Sequence, residues 1–287
     1  MEPTLRARAV DAGPGERRGS RGLLLGACLV LALLWPWAGP VAPARAANVI
    51  VDVESGVDPS AVMVTNKAVE ATQAYFAKVF DLTLDHDVRI KLTADKEDFI
   101  DALVHEARNA PVVAAKQAEQ ATGVSKNNTI VEHLGRKNDP ARVAFLVGHE
   151  LTHQYQEQAS KTKHHPVLWI TEGSADCIAG QIVERMGLGS LDALRRQWLK
   201  QVKAVSDKPR LANLRTWSDW SAAKDRYGPG LVYRMGDVAV CELIEQKGAA
   251  ILFDYFKHLR TMPAKQAFEE TFGLSMDTFE LRAEDQM

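Results

Sequence analysis

His149-Glu150-Leu151-Thr152-His153 places two imidazoles four residues apart, with a carboxylate directly after the first. The apolar run Ala144-Phe145-Leu146-Val147 leads into them and reads as helix. Four helical residues turn the chain by about 400°, so His149 and His153 share one face, one turn apart. Two imidazoles at that spacing suit a tetrahedral zinc ion and leave Glu150 beside the metal as a general base. The chemistry that follows is hydrolysis. Zinc lowers the pKa of a water at its open position towards about 7, and Glu150 takes the proton as the water attacks a carbonyl.

A catalytic zinc needs three protein ligands, so a third donor is required downstream. Eighteen residues separate His153 from Glu172, in Leu168-Trp169-Ile170-Thr171-Glu172-Gly173-Ser174-Ala175-Asp176. Glu172 meets the need. Asp176 follows one turn later on the same face, where it can accept the Nδ1 proton of a ligating histidine and fix its tautomer. His164 and His165 fall in the polar connector 161–166 and read as surface loop rather than ligands.

These residues resemble the gluzincin metallopeptidases, in which H-E-x-x-H is followed after about this gap by Glu and then by Asp four residues on. More closely, the chain resembles the bacterial peptidase-MA-like domain family. Trp169-Ile170-Thr171-Glu172-Gly173 is similar to the family's Trp-x-x-Glu-Gly element, and Tyr227-Gly228-Pro229-Gly230 with Tyr233 to its Tyr-rich helix. Gly273-Leu274-Ser275-Met276 resembles the short motif on which such domains end. Specific motifs cover 130–287, and 47–130 matches by general pattern; Pro166 stands one place farther from the Trp than the family has it. The resemblance implies a zincin-like fold, one Zn2+ per chain held by His149, His153 and Glu172, Asp176 behind a ligand, and a peptide or protein substrate. It also implies a hydroxyl for the developing oxyanion, for which Tyr227 is expected ahead of Tyr233 and His258. No Gly-x-Met-Glu-Asn exopeptidase motif precedes His149, which points to an endopeptidase. Two other readings stay open: an inactive zincin-fold binding protein of the cell envelope, and a zinc hydrolase of a non-peptide amide.

The first 46 residues carry a different signal. Arg6, Arg8, Arg17, Arg18 and Arg21 precede an apolar run over 23–34, and Ala44-Arg45-Ala46 is an A-x-A cleavage site. The run falls short of the roughly 20 apolar residues that span a membrane, so 1–46 reads as a signal peptide of an exported, periplasmic or secreted chain. Cys28 lies inside the apolar run rather than after it, which argues against a lipid anchor. Without 1–46 the chain holds 29 basic and 34 acidic side chains, a net of −5. That balance argues against nucleic acid or an anionic membrane as partner. Cys177 and Cys241 remain; too few for a disulfide scaffold, they read as buried free thiols that an exported chain could oxidise.

The elements that position the motifs follow from local pattern. Residues 48–53 and 88–92 alternate as strands, and 129–131 reads as a third strand that the resemblance places at the edge of the cleft, where an extended substrate pairs. Helices are expected over 58–80 and 95–108, over 139–158 for the motif and over 168–186 for Glu172 and Asp176. Further helices follow over 191–205, 229–247, 249–260, 264–272 and 275–284, with 213–226 a loop holding a short turn. The fold class is therefore α+β: a small mixed sheet and the motif helix over 47–158, then a mainly helical lobe over 159–287.

Overall fold

The computed structural model describes residues 47–135, 139–161 and 164–287. The expected signal peptide and Cys28 lie outside the described residues. Four strands, β1 (Val49–Val53), β2 (Val88–Thr93), β3 (Gly123–Lys126) and β4 (Thr129–His133), form one sheet in the order β1-β2-β4-β3. The first two and β4 run parallel, and β3 returns antiparallel to β4 across the turn at Asn127 and Asn128, both at positive φ. This corrects one expectation. The strand at 129–131 exists, but it is internal, and the edge belongs to β3, which the sequence reading passed over. Only four residues long and beginning with Gly, β3 carries little β-propensity; pairing with β4 makes it a strand.

Eleven α-helices accompany this sheet among the described residues: α1 (Pro59–Phe80), α2 (Lys96–His105), α3 (Pro111–Gln120), α4 (Pro140–Ser160), α5 (Leu168–Arg185), α6 (Leu191–Lys203), α7 (Trp217–Tyr227), α8 (Pro229–Lys247), α9 (Leu252–His258), α10 (Ala264–Phe272) and α11 (Met276–Gln286). The architecture is a small mixed sheet with a helical majority, in agreement with α+β. Caps set the boundaries as their residue types dictate: Asp58 and Asp139 accept the amides of Ser60 and Ala141 ahead of Pro at the first helical position. None of the described helices is long and apolar enough to cross a membrane.

Two further expectations are corrected. The segment 213–226 is a 3-10 turn, Leu211–Leu214, followed by the eleven-residue α7. Thr216 caps α7 by accepting the Asp219 amide, and Trp220, Ala223 and Lys224 form its buried stripe. Its Ser and Asp residues, which locally favour turns, are overridden by that cap and that packing. Cys177 of α5 and Cys241 of α8 are joined in a disulfide rather than standing as free thiols, because the crossing of the two helices brings their Cα atoms to 6.3 Å.

The motif helix α4 is the hub. Phe76 of α1 stacks on Tyr155 of α4 with ring centroids 3.7 Å apart, and Phe253 of α9 meets the same Phe76 edge-on. Beside α4 runs α5, whose N-terminus is held by the Tyr255 hydroxyl accepting the Val167 amide at 3.0 Å. Trp169 anchors α5 further. It is fully buried against Phe279, and its Nε1 donates to Glu280 at 2.9 Å, a carboxylate that Arg215 also holds.

The tightest contact joins α5 to α8. A methyl group at Gly173 would lie 2.3 Å from the Gly236 carbonyl oxygen and 2.8 Å from Val240 Cγ2. Only glycine lets the two backbones approach this closely. The Trp-x-x-Glu-Gly element thus has a packing reason for its glycine as well as a chemical reason for its glutamate. Gly173→Ala is expected to push α5 off α8 and to cost about 1–3 kcal/mol or more, as overpacking of a full core does. Denaturant unfolding checks it against Gly230→Ala, where an added methyl meets nothing within 4 Å and the cost should be small.

Candidate metal centre

Three helices converge on His149. Helix α4 supplies His149, Glu150 and His153, α5 supplies Glu172 and Asp176, and α8 supplies Tyr233, Arg234 and Asp237. The two Nε2 atoms of His149 and His153 face each other at 3.0 Å, and Glu172 Oε2 lies 3.6 Å from one and 3.7 Å from the other. These three groups can hold a metal ion, all of their ligand atoms lying within 4.8 Å of one another. Ligands about 2.0–2.1 Å from a tetrahedral ion sit about 3.3 Å apart, so the spacing fits.

The hydrogen bonds behind the imidazoles show why a cation belongs there. His149 Nδ1 donates to Asp176 Oδ1 at 2.6 Å. His153 Nδ1 meets Gln156 Oε1 at 2.8 Å, while Gln156 Nε2 donates to the Thr171 carbonyl at 3.0 Å and to Ser174 Oγ at 2.8 Å. A carbonyl can only accept, so the Gln156 amide has one orientation and its oxygen must take the His153 proton. Both Nδ1 protons are therefore committed, and both Nε2 atoms present lone pairs to each other and to a carboxylate. Only added positive charge, a proton or a metal ion, relieves three facing electron pairs. The electrostatics agree. Burial works against a charged His149, but Asp176 and then Glu172 lift its pKa well above the ordinary imidazole value. Burial would likewise raise Glu172, yet His153 and His149 outweigh it and hold that carboxylate below its usual range.

Asp176 is itself held. Arg234 Nη1 lies 3.4 Å from its Oδ2 and 2.6 Å from Asp237 Oδ2. Burial, and then the Asp176 charge, push Asp237 well above its usual value, while the neighbouring His149 holds Asp176 below its own against the cost of burial. Glu150 stands on the other side of the centre. Its pKa is raised, chiefly by burial, and its Oε1 occupies the place where a side chain on Gly123 of β3 would begin, 2.4 Å from a built Cβ. Glycine at that position of the edge strand makes room for the carboxylate. Opposite Gly123 in the ladder sits Glu132 of β4, fully buried, with neither carboxyl oxygen bonded. Burial and then the Glu150 charge raise it well above its usual value.

His149, Glu150, His153 and Glu172 line one cavity of about 360 Å³ together with Gly123, Val124 and Ser125 of β3. Of the two tyrosines, Tyr233 lines it and Tyr227 does not. Tyr227 ends α7, half-buried, with the Arg226 guanidinium over its ring, so the expectation that it faces the metal is corrected. Tyr233, early in α8, lines the cavity in its stead. The Glu172 charge, followed by burial, keeps the Tyr233 hydroxyl protonated, pushed well above the phenol range. His258 is engaged elsewhere, with Nδ1 3.1 Å from Thr271 Oγ1, and His165 is exposed. The sequence reading missed Gln156, Glu132, Asp237 and Lys224. Gln156 stands one helical turn past His153, and Glu132 is a charge within an apolar strand, which are signals; Asp237 and Lys224 gain meaning only from packing.

No family model matches the chain, and no curated protein matches it.

His153→Ala and Glu172→Ala are expected to abolish stoichiometric metal binding in metal analysis of the purified protein. Asp176→Asn should weaken affinity by about 10–100-fold, as changes behind a ligand do. Gln156→Leu should do the same through His153, since it removes the acceptor that fixes the tautomer; a wild-type affinity in either would show that the imidazole needs no such partner.

Proposed function

We propose that the chain is an exported zinc-dependent peptidase of the gluzincin kind, similar to the peptidase-MA-like domains. The observation that carries the reading is the convergence of two tautomer-fixed imidazoles and one carboxylate on a point that Glu150 also borders. Zinc is the metal that this donor set suits, two nitrogens and one carboxylate oxygen at tetrahedral spacing. When bound, it would supply Lewis acidity to a water and to a carbonyl oxygen in the cavity.

The chain's own residues do the rest. Glu150 takes a proton from the attacking water and delivers it to the leaving amine nitrogen, a task for which its burial-raised pKa suits it. Tyr233, protonated and lining the cavity, donates to the oxyanion as the carbonyl carbon becomes tetrahedral. Asp176 holds His149, and Gln156 holds His153, so that neither ring turns during the reaction. The free edge of β3 along the cavity supports an extended peptide as substrate, because it offers backbone donors and acceptors to another strand. The Cys177–Cys241 disulfide supports export, since such bonds persist in oxidising compartments.

The test is cleavage of casein or quenched peptides by the zinc-loaded protein, abolished by a chelator. Zinc bound with no cleavage favours the binding-protein reading; hydrolysis confined to non-peptide amides favours the other. Glu150→Gln should fold and bind zinc yet lose at least about 10²-fold in turnover, because the base is gone and the ligands remain. Activity persisting in that variant sinks the mechanism. Tyr233→Phe should lower kcat by about 10²-fold with KM and zinc content nearly unmoved, the bond forming mainly in the transition state. Tyr227→Phe, assayed beside it, should retain wild-type kcat.

A further inference from the structure

We propose that Lys224 anchors a carboxylate of the bound substrate, an inference that rests on the peptidase reading of the adjacent centre. Lys224 lines the same cavity as Glu150, Glu172 and Tyr233. It is 8% exposed, and among the described residues no hydrogen-bond acceptor or carboxylate pairs with its Nζ. The residue is mostly covered, yet Nζ is not sealed from solvent, so the ammonium can meet what enters the cavity. What holds it is aromatic. Nζ lies 5.5 Å from the centroid of Trp217 and 5.9 Å from that of Tyr233, close enough for both faces to attract the charge. Rings at these distances attract the cation without taking up its N–H donors, which stay available to the cavity.

Neighbouring carboxylates are occupied. Asp225, next in the chain, lies 3.4 Å from Gln120 Nε2 and 4.0 Å from Lys116 Nζ, across to α3. Glu172 is turned to the two imidazoles. A substrate that brings a carboxylate into the cavity therefore meets an unpaired, positively charged group whose stem is covered and whose head is held by rings. Burial lowers the Lys224 pKa while Glu172 opposes this, and an arriving carboxylate would favour the charged form further. The carboxylate has two possible sources in a peptide: its C-terminus, or an Asp or Glu side chain near the scissile bond.

The test uses one quenched peptide frame in matched pairs, free against amidated C-terminus, and Glu against Gln at each position flanking the cut. The zinc-loaded protein should prefer one carboxylate-bearing member by about tenfold or more in kcat/KM, as a charge-assisted hydrogen bond in a closed site gives. The pair that shows it identifies the source. Lys224→Arg should keep much of the preference, Lys224→Met should erase it, and Lys224→Glu should turn it towards a Lys-bearing peptide. A loss shared equally by all peptides, or no preference in the wild-type protein, overturns the proposal while leaving peptide hydrolysis intact. Binding of the same peptides to Glu150→Gln, followed by calorimetry, separates the two readings. A carboxylate preference there that Lys224→Met removes supports the anchor even if nothing is cut. Equal binding of both members of every pair overturns it whatever the turnover, and binding of none overturns it together with the peptidase reading.

Discussion

Three electron pairs aimed at one point repel one another, and the arrangement around His149, His153 and Glu172 exists to keep them aimed. Each imidazole has a partner on its far nitrogen that leaves only one tautomer, Asp176 for one ring and Gln156 for the other. Each partner is fixed in turn, Asp176 by Arg234 and Gln156 by the Thr171 carbonyl and Ser174. The result is a preorganised hole for positive charge whose energetic cost is spread over two layers of buried polar groups. Removing a member of either layer leaves another buried group unpaired, which is why such networks respond to change as units.

Those layers require α4, α5 and α8 to sit at fixed distances, and the Gly173–Gly236 contact sets the closest of them. At that crossing backbone touches backbone, so the side chains one residue before and three after Gly173 are placed with little slack. Glu172 and Asp176 are those side chains. Tyr233 and Asp237 stand three residues before and one after Gly236, the mirrored spacing on the other helix. Chemistry and packing thus meet on one turn of each helix, with the aromatic stack of Phe76 on Tyr155 and the Trp169 anchor fixing the outer sides.

The parts legible in the sequence are those that helical pitch alone decides. His149, Glu150 and His153 share a face, as do Glu172 and Asp176, and their capping and apolar patterns locate both helices to within a residue or two. What the sequence concealed depends on long-range pairing. The strand β3 has weak intrinsic preference and exists by its ladder with β4, so the edge was assigned to the wrong strand. Helix α7 looks like a turn until Trp220 is buried, and with α7 hidden, Lys224 had no reason to stand out. Tyr227 and Tyr233 are both aromatic residues near a Gly-Pro-Gly turn; which one faces the cavity depends on the direction in which that turn sends α8. Gln156 was within reach, because a side chain one turn past His153 can reach back to its ring.

The disulfide between Cys177 and Cys241 closes a ring of chain with a sequence separation of 64. Inside that ring lie the end of α5, α6, α7 and most of α8, including Lys224, Tyr233 and Asp237. Outside it, one residue before Cys177, stands Asp176. A single peptide-bond break anywhere from 178 to 240 would open the backbone without releasing a fragment, since both new ends remain tied through sulfur. The exposed positions 204, 206 and 207, just after α6, are where such a nick would fall most readily. A protein exposed to proteases would in this way survive a cut that dismantles an unbridged fold, keeping α5 and α8 in contact until a second bond is broken.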